Sequence, residues 1–350
     1  MTAVTVVILH AEPAADAGLL SRALGAARAR LADVHRVGFA AAGADRVEVV
    51  AGPPDRVSFG ARLRTIAERL TSDGGLVILG SGAVPLLSAA GRRTFVRAAA
   101  GPTAAVLANN AYSADIVAIA QARSALADVP DLATDNALPR WLAERAGLPV
   151  TDLRRRWRLG VDIDSPLDLV LLGGRWSVVL PAGAVDRVGA RLAAVRAVAA
   201  DPRAEILVSG RTSLGSLEWL ERSTAARTRA LVEERGLRTS QPGQRPPASV
   251  MGLVLDRDGP EALATHLPRL ADAALIDTRV LLAHRLGADE RAWPTAEDRF
   301  ASDLLMPDAI ADPWLKALTQ AALDAPIPIV LGGHTLVGPG LRLALRTGRA

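Results

Sequence analysis

Short apolar runs alternate with stretches of helical spacing through the first half of this chain. Residues 4–9, 47–51, 76–79 and 103–108 read as strands. After the first, Leu19, Leu20, Ala23, Leu24, Ala27 and Leu31 recur at the spacing of one helix face. Ser58 is placed to cap a helix in which Phe59, Leu63, Ile66 and Leu70 share a side. A further helix is predicted over 138–146. Strand and helix in regular alternation imply parallel strands with helices on both faces, and unbroken apolar strands imply burial on both sides. Ligands bind such sheets beyond the carboxyl ends of the strands. Those ends are His10-Ala11-Glu12, Gly52-Pro53, Gly80-Ser81-Gly82 and Asn109-Asn110.

The second half is less regular. Helices are expected over 184–200, 213–235, 260–286 and 313–323, and strands over 206–208 and 250–255. The polar, proline-rich segment 239–247 reads as a loop. The last apolar run leads into Gly332-Gly333-His334-Thr335. The expectation is an α/β protein: a mostly parallel, Rossmann-like domain over residues 1–175, then a mixed α/β half over 176–350.

Composition sharpens this picture in three ways. Half of the residues are hydrophobic but only 3% are aromatic, so the core must be built from Ala, Val, Leu and Ile. There is no cysteine, which excludes disulfides, thiolate metal sites and a Cys nucleophile. The net charge is +4, and Lys316 is the only lysine. A high isoelectric point therefore reflects arginine, which does not deprotonate. Basic and acidic residues are interspersed, apart from Arg154-Arg155-Arg156-Trp157-Arg158, which reads as a solvated surface. No nucleic-acid partner is expected. The first apolar run is too short to span a membrane and lacks a basic lead, so a cytoplasmic, membrane-free protein is expected.

Several segments carry candidate chemistry. Asp162 and Asp164, two apart on an extended segment, point to one side and would suit a hard cation such as Mg²⁺. Ser165, Pro166 and Asp168 fit the cap, first and third positions of a helix. Asn109, Asn110, Tyr112 and Ser113 offer amides and hydroxyls at a ligand-facing edge, or an Asx-type turn feeding a helix. Residues 208–213 end a strand, open a helix and carry Arg211 among hydroxyls, which suits an anion. His334 is a candidate metal ligand or base. Residues 297–303 are expected to form surface salt links.

Asp162-Ile163-Asp164-Ser165-Pro166-Leu167-Asp168-Leu169 resembles the Asp-x-Asp-Thr-Pro-x-Asp-Leu signature of nucleotidyltransferases of the GT-A fold. The molybdenum-cofactor and phospholactate guanylyl- and cytidylyltransferase-like branches are examples. Gly60-Ala61-Arg62-Leu63 is similar to the Gly-x-Arg-Leu helix start of that family. Residues 79–87 resemble the strand and turn that carry its Asp-x-Pro-Leu-Leu, with Ala83 where the family has a metal-binding Asp. The glycine-rich, Arg- and Lys-bearing first loop is replaced by residues 10–18, which hold one glycine and no lysine.

The resemblance spans about residues 1–175. It implies a nucleotide-binding site at His10, Ala11, Gly18, Arg22, Gly80, Ser81 and Gly82, with phosphate received by a helix N-terminus. It implies Mg²⁺ or Mn²⁺ on the catalytic pair Asp162 and Asp164, and an acceptor at Asn109, Asn110, Tyr112 and Ser113. The reaction would move a nucleoside monophosphate from a triphosphate to a small phosphorylated or carboxylated acceptor. Two alternatives stand beside it: an inactive nucleotide-binding or scaffolding descendant, and a glycosyltransferase using a nucleotide sugar, with His334 contacting metal.

Overall fold

The computed structural model describes residues 2–53, 55, 57–71, 74–173, 179–237 and 245–346. The chain forms two compact units. One comprises Met1–Asp16 and Gly25–Asp162, the other Ala17–Leu24 and Ile163–Ala350. The change-over falls inside the Asp162–Asp168 motif, between Asp162 and Ile163.

The first unit contains β1 (Val4–Ala11), most of α1 (Leu19–Ala41), β2 (Arg46–Gly52), α2 (Phe59–Glu68), β3 (Gly75–Gly80), α3 (Ala89–Ala99), β4 (Val106–Ala108), β5 (Ile116–Ile119), α4 (Ala122–Ala125), α5 (Leu138–Glu144) and β6 (Val150–Asp152). Its six strands lie in the order β2-β1-β3-β5-β4-β6. All neighbours pair in parallel except those of β5, which is antiparallel to β3 and β4. Helices cover both faces, and β3 shows why. Leu76 and Ile78 enter a core with Leu63, Ile66, Leu138 and Leu142. Val77 and Leu79 enter another with Ile8, Phe39 and Phe95. Each fully buried Leu or Ile contributes about 1.5–3 kcal/mol. Ser58 caps α2 by accepting the Ala61 N–H at 3.1 Å. Gly60 lets that helix meet the backbone at Pro130, whose carbonyl lies 1.8 Å from where a Cβ would stand.

The second unit contains α6 (Pro166–Leu172), α7 (Ala182–Ala199), β7 (Glu205–Gly210), α8 (Leu214–Ser223), β8 (Arg227–Val232), α9 (Val250–Asp258), α10 (Leu263–His266), β9 (Ala273–Asp277), α11 (Thr278–Leu286), α12 (Ala296–Asp303), α13 (Pro313–Asp324), β10 (Ile329–Gly332), α14 (His334–Val337) and α15 (Leu341–Ala344). Its sheet is fully parallel, in the order β10-β9-β7-β8. The chain runs from β7 outward to β8, then returns past β7 to lay down β9 and β10. The direction therefore reverses between β7 and β9.

Four expectations are corrected. Residues 250–255 form a helix, not a strand: Ser249 accepts the Gly252 N–H at 3.1 Å, and Met251, Gly252 and Leu255 are the buried positions of a helical face. The helix expected over 213–235 stops at Ser223, and residues 227–232 pair with β7. The helix expected over 260–286 is interrupted by β9, an Ala-rich strand whose five residues are all buried. The segment after Asn110 feeds an antiparallel strand, β5, not a helix. Of the expected loop at 239–247, residues 239–244 lie outside the described residues. No helix among the described residues is long and apolar enough to cross a membrane.

Candidate functional site

In the first unit, two of the three segments that carry the resemblance come together. Ala83 and Asp162 face each other in an antiparallel bridge. Asp162 Oδ1 accepts the Val84 N–H at 3.3 Å. On the other end of the same peptide, His35 Nε2 donates to the Ala83 carbonyl at 2.9 Å. His35 is fully buried. Burial, opposed by that carbonyl and aided by the Arg92 charge, lowers its pKa to about 4. The ring is therefore neutral at physiological pH. Its Nδ1 accepts from Arg92 Nη2 at 3.4 Å. His35 carries no motif, but its place in the apolar series Leu31, Ala32, His35, Phe39 was a sequence signal for a buried imidazole.

The end of β1 meets the end of β3, with Leu9 opposite Gly80. His10 Nδ1 and Ser81 Oγ share a hydrogen bond of 2.9 Å. Burial lowers the His10 pKa. Gly80, Ser81 and Gly82 follow β3 at this edge, and Ala11 closes β1.

The acceptor set divides. Asn109 is buried, and both ends of its amide are engaged. Its Nδ2 donates to Asp115 at 2.7 Å and to the Leu159 carbonyl at 2.8 Å. Its Oδ1 accepts the N–H groups of Asp115 and Ile116. Asn109 thus pins the β4–β5 connection. Asn110 Oδ1 accepts the Tyr112 N–H at 3.0 Å, which is the Asx-type turn. Ser113 donates to Asn136 at 2.9 Å. Tyr112 is exposed, with the Arg154 guanidinium 5.3 Å from its ring.

The second unit holds the first turn of α1. Its N–H groups, expected to receive phosphate, are occupied by Glu297. That carboxylate accepts Leu20 N–H at 2.8 Å, Ser21 N–H at 3.1 Å and the Ser21 hydroxyl at 2.9 Å. A Cβ at Gly18 would stand 2.3 Å from it. Arg22 turns to the Ala17 carbonyl. By sequence pattern alone Glu297 looks like a surface charge. Its role is a long-range helix cap, which no local spacing reveals.

The signature segment continues in this unit as a helix start. Asp168 Oδ2 accepts the Asp164 and Ser165 N–H groups at 2.8 and 2.7 Å, and the capping box over Ser165–Asp168 is present. Burial, then the charge of Asp164, raise the Asp168 carboxyl to about 8. Asp164 itself is exposed.

The carboxyl rim of the second sheet carries two buried ion pairs. Arg211 Nε and Nη2 donate to the two oxygens of Asp277 at 2.6 and 3.1 Å. Arg279 grips Asp303 through both terminal nitrogens. Burial alone would raise the Asp277 carboxyl, but Arg211 outweighs it and holds the acid below its usual range. Burial would lower the Arg279 pKa, but the Asp303 charge raises it. Asp303 belongs to the run 297–303 and has no exposed surface. The sequence pattern implies surface salt links there; among the described residues only Arg299 makes one, to Glu290 at 3.2 Å. Asp298 is likewise buried and accepts the Ala311 and Asp312 N–H groups.

Among the described residues, no three acidic or imidazole side chains are grouped to hold a metal ion. No protein-family model matches the chain, and no curated protein matches it.

Proposed function

We propose that the chain is a non-catalytic descendant of the GT-A nucleotidyltransferases, a binding or scaffolding protein in which the signature aspartates serve structure. The observation that carries this reading is the Asp162–Val84 hydrogen bond beside Ala83. The bridge between the two motif segments supports common ancestry with that fold. Yet the partner carboxylate is a methyl group, and Asp162 is engaged by backbone. Magnesium held by carboxylates and substrate phosphates neutralises the charge of an in-line transfer. With alanine at 83, one protein ligand for that ion is gone. Glu297 adds a second argument, since it fills the helix N-terminus that a triphosphate would use.

The test is isothermal titration of the full chain with each nucleoside triphosphate, with and without Mg²⁺, alongside a pyrophosphate-release assay. The expected result is no Mg²⁺-dependent binding and no pyrophosphate. Magnesium-dependent binding in the micromolar range, or pyrophosphate release, would return the chain to the active nucleotidyltransferases.

A further inference from the structure

The second unit has a rim of its own. An open parallel sheet binds ligands outside the carboxyl ends of its strands, where the direction of strand addition reverses. In the order β10-β9-β7-β8 that place lies between β7 and β9. The residues there are Arg211, just beyond β7, and Asp277, the last of β9. Gly210 adopts φ of 126°, and a Cβ on it would stand 2.3 Å from Asp277. The two strand ends are thus pressed together with no side chain between them. The register of β10 on β9 sets Gly332 opposite Asp277, which brings the exposed His334 to the same rim two residues later. From β7, the first turn of α8 joins this rim: Ser216 Oγ donates to the Gly338 carbonyl at 2.9 Å. A Cβ at Gly338 would lie 3.3 Å from the His334 ring.

The chemistry of this rim is that of donors. Asp277 accepts Arg211 Nε and Nη2 and the Arg279 N–H, so its charge is matched. Arg211 Nη1 has no partner among the described residues. Arg211 is nevertheless more than nine-tenths buried. Thr212, its neighbour, is wholly buried and its hydroxyl has no hydrogen-bond partner. A buried guanidinium pair is weak evidence for stability, and at the strand ends where an open parallel sheet reverses direction it is a candidate for ligand binding.

We propose that this rim binds a small oxyanion, a phosphate or carboxylate group, at Arg211 and Thr212. Arg211 Nη1 and the buried Thr212 hydroxyl donate to it, and the His334 ring on the same rim reports its arrival. Asp277 orients Arg211, as the acid behind a binding arginine. The proposal does not depend on the reading of the first unit.

The experiment is an NMR titration of the His334 imidazole in the full-length chain, at constant ionic strength. Inorganic phosphate is the probe in one arm and acetate in the other. Saturable movement of the His334 signals, with those of His266 and His284 fixed, is the expected result. Response to phosphate alone assigns a phosphoryl ligand; response to acetate assigns a carboxylate. Arg211→Lys, which keeps a cation on Asp277 but removes Nη1, should weaken the response about tenfold. Should that variant fail to fold, Thr212→Val is expected to weaken it several-fold. A flat His334 signal with both anions overturns the proposal. Equal shifts at all three histidines, or an unchanged response in the folded variants, overturn it as well.

Discussion

Asp162 and His35 hold the two ends of one peptide group. The carboxylate accepts the Val84 N–H, and the imidazole donates to the Ala83 carbonyl. Val84 has φ of 46°, a left-handed conformation that is a true outlier for a β-branched residue. Such strain, on the order of 1–3 kcal/mol, persists only where the surroundings over-determine it. Here two side chains remote in sequence do so.

Two variants separate a structural Asp162 from a metal-binding one. Asp162→Asn keeps an acceptor oxygen and should unfold within about 0.5 kcal/mol of the native chain, whereas Asp162→Ala should lose about 1–3 kcal/mol. Urea denaturation of both variants measures the difference. Equal loss in both would remove the acceptor role.

His35 makes stability depend on pH. Its folded pKa is about 4, below the unfolded value of 6.5. The unfolded chain therefore binds the extra proton first. The neutral ring's contribution is whole above 6.5 and is lost as pH falls toward 4, by roughly 3 kcal/mol. The melting temperature of His35→Gln should fall less steeply over that interval than that of the native chain. Parallel slopes would mean that His35 does not titrate with folding.

Asp168 works in the opposite sense. Its folded carboxyl titrates at about 8, against 3.8 unfolded. Between those values the unfolded chain has released a proton that the folded chain keeps. This group's contribution to stability therefore declines as pH rises from 4 to 8. Asp168→Asn stays neutral and can still accept both N–H groups. It should be at least as stable as the native chain at pH 8, as read by thermal melts at pH 6 and pH 8. A variant that is less stable at both would show that the charged form is the native one.

Asp303 is paired with Arg279 away from water. Asp303→Asn should leave that guanidinium without its counter-ion and lower stability by about 3–5 kcal/mol. Chemical denaturation reads this directly; a change under 1 kcal/mol would place Arg279 in contact with solvent.

Much of the first unit was legible because its signals are local. Apolar runs of four to six residues marked β1, β2 and β3, and Ser58 marked the start of α2. What failed was decided by tertiary context. Ala-Ala-Leu-Ile in β9 has the composition of a helix and becomes a strand because both sides are covered. The run from Val250 has the composition of a strand and becomes a helix through the Ser249 cap. At the sites, Asp168 was readable as a capping residue from its spacing to Ser165. Asn109 was not, since its partners Asp115 and Leu159 are brought in by the fold. The buried pairs Arg211–Asp277 and Arg279–Asp303 join residues far apart in sequence, and charged residues in amphipathic stretches look alike whether wet or dry.

Glu297 caps α1 from 277 residues beyond Leu20. A ribosome adding about 5–20 residues per second would deliver that carboxylate roughly 15–55 seconds after Leu20 itself. For that interval the first turn of α1 has donors and no acceptor, and Gly18 ahead of it adds no side chain to restrain it. The opening of the first long helix is thus among the last parts of the protein to be fixed. A chain truncated before residue 297 should show it as rapid amide exchange at Leu20 and Ser21.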